Sequence, residues 1–423
     1  MPVPTRHRVA EFLDEPNEFL VLRAVRDASL ISRTEIAQLC GMSKPTVSEI
    51  VNRFLGEGLL TRAGESKSTD RGGRRRELLR FNPVAGCVIG IDIRMTRCVV
   101  ALSDLNATAV CRQSFEYAPG TSPDHVLGNA LRLVDEVLAA AGQTRDTCVG
   151  IGVGLPGLID PVDGVVRVAD TLAGWNDVNL RAFFTRSTGI PLSVENDVKS
   201  RALGEFLFGA GKGKSDQVFL WVGDGIGAGI IVRGQLYRGV TQSAGEIGYN
   251  PLPGGEAARA AFPMLYDGQR DFGEILSTAS LTSRYARHTG LEGAVTLEML
   301  LRNAEEGETV ARRMLDEAAE VLSIVCINLV NTLNPEVIVI GGTLAEASPA
   351  LLDAIRRNVQ EDILPAPAEA VAIRPSALKE DGVIMGAVGS VLYDLFRPGV
   401  AIRNGGARRV ALRSTPNSHA VPT

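Results

Sequence analysis

The chain has 423 residues, of which 45% are hydrophobic, so it is long enough for two or three domains with a large buried core. Residues 1–85 carry 14 Lys and Arg against 11 Asp and Glu, whereas the remainder carries 30 against 38. A basic N-terminal region followed by an acidic body predicts that the N-terminal region meets a polyanion.

The six cysteines are scattered and form no Cys-x-x-Cys pair, which argues against a metal ribbon or a disulfide framework. The N-terminus shows no apolar signal region, and no apolar run approaches the ~18 residues of a membrane span. We therefore expect a soluble, cytoplasmic protein that has no contact with a membrane.

The N-terminal region predicts a helix-turn-helix. After a first helix, the stretch "SRTE" is a capping box in which Ser32 caps a short helix and Glu35 lies three residues later. Gly41 ends this helix, and Ser43 caps the next one, with Pro45 in its first turn. Two short helices joined by a glycine-containing turn are typical of DNA-binding domains.

The second of these helices would present small hydroxyls and long polar groups to DNA. The candidate DNA-contacting residues are Ser43, Lys44, Thr46, Ser48, Asn52 and Arg53. Two strands then predict a wing with the tip "STDRGGRRR", where Arg71, Gly72, Gly73 and Arg74 are further candidates. The arginines would enter a narrow minor groove or only neutralise phosphates. A small helical bundle with a solvated, charged face is the alternative for the whole region.

From residue 86 onward, strands alternate with helices. Two apolar hairpins, at residues 87–105 and 218–237, resemble each other and suggest two similar α/β halves that face each other across a cleft. Ligands in such folds lie at the carboxyl ends of the strands. At the first of these ends, "DIRMT" places Arg94 and Met95 in a turn where a phosphate would need glycine.

Several motifs together resemble the ROK family of repressors and sugar kinases, in its transcription-factor branch. The resemblance covers roughly residues 17–395 and rests on "SRTEIAQLCGMSKPTVSEIVNRF", "GGRR", "GVGLPGLID", "ENDVKSRALGE", "GDGIGAGIIVRGQLYRG", "GEIGYNPL" and "NPEVIVIGGTL". It implies a winged helix-turn-helix domain (residues 1–80), a two-lobed, actin-like (ribonuclease H-like) α/β ATPase fold (residues 81–398) and a disordered tail (residues 399–423).

Three departures from the family pattern concern cofactors. Where the family's kinases have Asp-x-Gly-Gly-Thr, this chain has Arg94 and Met95, and Asp224 replaces the threonine of their Gly-Thr-Gly-x-Gly loop. A carboxylate beside a phosphate is repulsive, so we expect no working ATP site. Many family members also carry a zinc cluster, but here Tyr249 replaces its histidine and residues 254–274 contain no cysteine, so we expect no zinc and no other metal.

The family's sugar pocket is better retained, and the resemblance implies that this pocket binds a sugar or a sugar phosphate. Its candidate ligand-binding residues are Gly157, Asn196, Asp197, Glu246, Tyr249 and Glu274. Carboxylates and an amide accept hydrogen bonds from vicinal hydroxyls, and Asp197 matches the general base of the kinases. Asn196 or Asp197 would alternatively cap a helix, and Tyr249 would alternatively pack in the core.

These observations predict a sugar-responsive repressor that binds operator DNA as a homodimer or higher homo-oligomer and has no catalytic residue. An active sugar kinase with a DNA-binding head is the alternative that Asp197 favours. A repressor that is controlled by a protein partner is a third possibility that the sequence leaves open.

Overall fold

The computed structural model describes residues 16–65, 76–252 and 255–396. The predicted wing tip, with Arg71, Gly72, Gly73 and Arg74, and the predicted tail lie outside the described residues. In the described part of the chain, none of the helices combines the length and apolar character that crossing a membrane requires.

The N-terminal head is a small α/β unit. Its elements are α1 (Pro16–Asp27), β1 (Ile31–Ser32), α2 (Arg33–Cys40), α3 (Lys44–Gly56), β2 (Leu60–Glu65) and β3 (Glu77–Phe81). The three strands form an antiparallel sheet in the order β1-β3-β2, and β2 with β3 is the predicted wing hairpin.

The predicted caps of the head are confirmed. Ser32 Oγ accepts the backbone N–H of Glu35, and the Glu35 carboxylate accepts the backbone N–H of Ser32 at 2.8 Å. Gly41 ends α2 in the left-handed conformation with φ of 65°, and Ser43 Oγ accepts the backbone N–H of Thr46 at the start of α3. These caps satisfy N–H groups that have no partner within the helices.

The body has a first lobe built on a five-stranded sheet. Its elements are β4 (Cys87–Ile93), β5 (Arg97–Asp104), β6 (Ala109–Glu116), α4 (Pro123–Ala140), β7 (Cys148–Leu155), β8 (Leu158–Asp160), β9 (Val165–Val168), β10 (Val178–Asn179), α5 (Leu180–Thr188) and β11 (Leu192–Asn196). The large sheet has the order β11-β7-β4-β5-β6, and β8, β9 and β10 form a small separate sheet.

The second lobe follows helix α6 (Asp197–Phe208). Its elements are β12 (Gln217–Val222), β13 (Ile226–Val232), β14 (Gln235–Tyr237), α7 (Glu256–Ala261), α8 (Phe272–Leu276), α9 (Thr278–Thr289), α10 (Leu297–Glu305), α11 (Thr309–Leu333), β15 (Val337–Gly341), α12 (Thr343–Ala347), α13 (Pro349–Asp362), α14 (Pro365–Ala370) and β16 (Ala372–Pro375). The chain ends its described part with α15 (Gly382–Leu395).

The two lobes repeat one topology. The second large sheet has the order β14-β13-β12-β15-β16, which matches the first when β12 is aligned with β4. In each sheet an antiparallel meander of three strands is extended by two parallel strands. The predicted internal repeat is therefore confirmed, although each hairpin has a third strand that the sequence analysis did not predict.

Helix α15 joins the body to the head. It packs on α6 and on strands β4 and β7, so it belongs to the first lobe. Its last turns also share one hydrophobic cluster with the head, in which Leu395 and Phe396 contact the same core as Phe81. The Phe396 ring meets Phe81 edge-on at 6.2 Å, and the Arg26 guanidinium lies 3.9 Å from the centre of the Phe396 ring.

Candidate functional sites

Helix α3 has one buried face and one exposed face. Val47, Ile50, Val51 and Phe54 are buried in the head's core and lie at the spacing of one helix face. The candidate DNA-contacting residues lie on the other faces: Ser43, Lys44, Asn52 and Arg53 are exposed, and Thr46 and Ser48 are half-buried. The polar side of α3 is thus open to a nucleic acid.

Some of these polar side chains already have partners within the head. The Arg33 guanidinium on α2 donates to Asn52 Oδ1 at 2.9 Å and to the Ser48 carbonyl at 3.2 Å. Arg53 forms an ion pair with Glu18 on α1. Asn52 and Arg53 must therefore share or exchange these partners if they contact DNA.

Two adjoining cavities lie at the carboxyl ends of the strands of both lobes. The first has a volume of about 1030 Å³ and the second a volume of about 670 Å³. Asn196, Asp224 and Glu246 line both cavities. The first cavity is also lined by Gly157, Tyr249 and Glu274, whereas Asp197 lines the second.

Gly157 and Asn196 fix the floor of the first cavity. Asn196 caps α6 by accepting the backbone N–H of Lys199 at 3.1 Å, and its Nδ2 donates to the Gly157 carbonyl at 3.0 Å. Gly157 has φ of 118°, and a Cβ there would lie 2.4 Å from the Val168 carbonyl oxygen. The capping role that the sequence offered for Asn196 is present, and the side chain also reaches the cavity.

Glu246 is placed at the boundary of the two cavities by a tight turn. Gly245 has φ of 92°, and a Cβ there would lie 1.8 Å from the Ala228 carbonyl oxygen, so the turn requires glycine. The Glu246 carboxylate is 4.0 Å from the ammonium group of Lys199, which is buried and donates to the Gln242 carbonyl at 2.7 Å. Burial raises the pKa of Glu246, and Lys199 opposes this rise.

Glu274 and Tyr249 form the outer part of the first cavity. Glu274 accepts the backbone N–H of Arg270 at 2.8 Å and two hydrogen bonds from its guanidinium, and these bonds lower the pKa of Glu274. Tyr249 is 70% exposed, so it does not pack in the core. Its ring is therefore available to a ligand in the cavity.

Charged groups with perturbed pKa values surround the second cavity. Burial raises the pKa of Asp197 and of Asp92, and burial lowers the pKa of Arg201. The Arg201 guanidinium lies 4.0 Å from the centre of the Trp221 ring and donates to the Lys379 carbonyl at 2.8 Å. The positive charge of Arg201 opposes the rise in the pKa of both carboxyls.

Arg94 lies in the β4–β5 turn, the turn in which a bound phosphate would need glycine. Its guanidinium donates to Asp92 Oδ2 at 2.8 Å, to Glu380 Oε2 at 2.5 Å and to the Glu380 carbonyl at 3.1 Å. The side chain therefore spans from the β4–β5 turn to the segment before α15. Met95 and Asp224 also line the second cavity, and both are exposed.

Sequence reasoning missed the basic residues of this region. Lys199 and Arg201 lie in "ENDVKSRALGE", and a basic pair on a helix is usually solvated, yet both are buried here. Their position directly after the Asn196–Asp197 pair was the available signal. No signal in the sequence indicated the ion pair between Arg94 and Glu380, since the two residues are 286 positions apart.

Comparisons with known proteins agree with this architecture. Residues 88–392 match the ROK family and residues 15–75 match the MarR family. The chain is 30% identical to the xylose repressor of Caldicellulosiruptor bescii over 91% of this chain and 97% of that protein. It is also 30% identical to a glucokinase of Halalkalibacterium halodurans, over 61% of this chain and 80% of the glucokinase.

A solved structure shares the fold over both regions. The crystal structure of a ROK family transcriptional regulator, a homologue of the E. coli MLC protein, covers 91% of this chain and 98% of its own, with a TM-score of 0.76 and 21% identity. The glucokinase match spans a smaller share of the chain than the xylose repressor match does. Since the family match extends over most of its length, this protein belongs to the ROK family, with a winged helix-turn-helix head in front of the two-lobed body.

Proposed function

We propose that this protein is a sugar-responsive transcriptional repressor of carbohydrate uptake or catabolism genes. The observation behind this proposal is that the exposed polar face of α3 and a cavity rich in carboxylates and amides occur in one chain. Its similarity to a xylose repressor over nearly the whole length supports the same function. The protein acts in the cytoplasm, where its operator is.

The chemistry of the first cavity favours a neutral sugar over a sugar phosphate. Its charged lining consists of the carboxylates Asp170, Asp224, Glu246, Asp271 and Glu274 and the guanidinium groups of Arg270 and Arg284. Arg270 is bound to Glu274, and Arg284 donates to the carbonyls of Ile275 and Glu274. An excess of carboxylates accepts sugar hydroxyls and repels a phosphate.

Helix α15 offers a route from the cavities to the head. Its first turn follows Glu380 and Asp381, which pair with Arg94 and Arg112. Its last residues lie in the head's core. A sugar that binds one arrangement of the lobes more tightly than the other shifts the position of this helix and so the affinity for DNA.

A single helix-turn-helix reads a short half-site, so we propose that a homodimer binds a palindrome. The half-sites would be about one helical turn, ~10 bp, apart or a multiple of it. Selection of bound fragments from random DNA, followed by footprinting, tests this arrangement. A single asymmetric site protected by a monomer would contradict it.

Titration of sugars into the protein–operator complex tests the function as a whole. The selected DNA, labelled for fluorescence anisotropy, serves as the probe, and D-xylose, D-glucose and their phosphates are added separately. We expect a neutral sugar to change operator affinity and its phosphate to have little effect. If no sugar changes the affinity but a protein partner does, control by a partner replaces this proposal.

Catalysis as a sugar kinase is the second candidate, because Asp197 lies at the start of α6 on the second cavity, beside the sugar cavity. We propose that it does not occur, since Arg94 and its two carboxylate partners fill the turn that would hold phosphate. We also propose that the protein needs no ATP or metal cofactor. ATP-dependent turnover on a panel of hexoses and pentoses at ordinary enzyme rates would refute the proposal that the protein is not a sugar kinase.

A further inference from the structure

The outer wall of the first cavity is a loop that doubles back on itself. Gln269, Arg270 and Asp271 line the cavity, and α8 begins at the next residue. The loop is joined to the chain before it, because the backbone N–H of Leu252 donates to the Arg270 carbonyl at 2.9 Å. This is the segment where the family resemblance would place a zinc cluster.

The residues present do not fit a zinc ion. The described residues 255–274 contain neither histidine nor cysteine. Two of their carboxylates are already used: Asp267 pairs with Arg287, and Asp271 accepts the backbone N–H of Glu274. In the described parts of the chain, no group of three or more His, Cys, Asp or Glu side chains is arranged to hold a metal ion.

A carboxylate from the longest helix holds the loop instead. Glu317 on α11 is only 7% exposed, and its Oε2 accepts the backbone N–H groups of Met264 at 2.8 Å and Leu265 at 3.0 Å. The Leu265 side chain is completely buried next to it, and the Met264 carbonyl lies 3.1 Å from the His288 ring. Without Glu317 the Met264 N–H group would lose this acceptor, and the Leu265 N–H group would keep only its longer bond to the Phe262 carbonyl at 3.2 Å.

We propose that Glu317 is a positioning residue of the sugar cavity and that its carboxylate replaces a structural metal ion in this chain. One oxygen with two adjacent N–H donors forms charge-assisted hydrogen bonds, which are stronger than neutral ones. Because α11 is rigid and 25 residues long, this contact fixes the turn at 262–266 and thereby the wall at 269–271. The role of Glu317 in positioning the sugar cavity rests on the proposed function, whereas its role in holding the loop does not.

Hydrogen–deuterium exchange of the full-length protein tests the loop directly and needs no ligand. Glu317→Ala should speed exchange in residues 262–266 by about tenfold, the equivalent of one lost hydrogen bond. Glu317→Gln keeps an acceptor oxygen and should restore most of the protection. Glu320→Gln, which changes an exposed carboxylate on the same helix, is the matched control and should behave as wild type.

Chelators and a sugar probe complete the test. We expect exchange in the wild-type loop to be unchanged by EDTA and 1,10-phenanthroline. Wild-type protection in Glu317→Ala, or loss of protection on chelation, would overturn the proposal. If D-xylose raises the melting temperature of the wild type, the rise should be smaller in Glu317→Ala and recovered in Glu317→Gln. If D-xylose has no effect on the wild type, the choice of sugar fails, while the exchange experiment still decides the role of Glu317.

Discussion

Replacing Arg94 by alanine should destabilise the body in a pH-dependent manner. Asp92 is completely buried, and Arg94 donates to its Oδ2, while its Oδ1 has no hydrogen-bond partner among the described residues. Removing one partner of a buried ion pair costs roughly 3–5 kcal/mol. Because the Arg94 side chain is 30% exposed, we expect the lower end of that range, about 3 kcal/mol near neutral pH.

The sign of the pH dependence follows from the pKa of Asp92. Burial raises this pKa in the folded protein. A carboxyl with a raised folded-state pKa contributes stability that is complete below its unfolded pKa, about 4, and is lost as the pH rises through the folded-state pKa. Without the guanidinium the folded-state pKa rises further. The loss in the free energy of unfolding caused by Arg94→Ala should therefore be larger at about pH 8 than at about pH 5.

Thermal melts of the variants measure this effect. A loss of ~3 kcal/mol should lower the melting temperature near neutral pH by about 6 °C, taking the lower end of the usual conversion for large domains. Adding Asp92→Asn to Arg94→Ala should restore much of the loss, because no unpaired charge is then left at residue 92. The control Arg112→Ala breaks an exposed pair with Asp381 and should cost less than ~1 kcal/mol. A loss that is equal at both pH values, or that Asp92→Asn does not relieve, would refute the reasoning.

Four further substitutions separate the functions of the two regions. Lys44→Ala should weaken binding to all DNA sequences about equally and reduce the salt dependence by about one charge, as measured by anisotropy in a salt series. Arg74→Ala should lessen the preference for A·T-rich flanks if the wing enters the minor groove, whereas a uniform loss across flanking sequences would show phosphate contact only. Asp197→Ala, on the second cavity, should bind operator normally but lose about 5- to 150-fold in affinity for a sugar that reaches past Glu246 into that cavity, and an unchanged sugar response would confine the ligand to the first cavity. Phe396→Ala should destabilise the head by about 3–5 kcal/mol and weaken operator binding, while a sugar-induced melting shift of the body persists.

Local signals in the sequence were sufficient for the head. Ser32 and Glu35 form a capping box at short range, and the buried positions of α3 follow from their helical spacing. In the body, the apolar hairpins and the polar residues at strand ends predicted both the repeat and the region of the cavities. Such features depend on neighbours only a few positions apart, so they can be read without knowing the fold.

The features of the fold and the site that the sequence did not predict depend on contacts between distant segments. Strand β6 was missed because most of its residues are exposed, which leaves no alternating apolar pattern along this edge strand. That Asn196 lines both cavities while Asp197 lines only the second depends on how α6 starts relative to both lobes. The anchoring of Met264 by Glu317 joins residues 53 positions apart and involves a backbone group, for which no side chain gives a signal.

The shared cluster of α15 and the head has a consequence for synthesis of the protein. The head is the first part of the described chain to leave the ribosome, but its hydrophobic core contains Val391, Leu392, Leu395 and Phe396, which are among the last described residues. Until these residues emerge, part of the apolar surface around Phe81 has nothing to cover it. Incomplete chains therefore leave this part of the head's apolar surface uncovered until the whole body has been made.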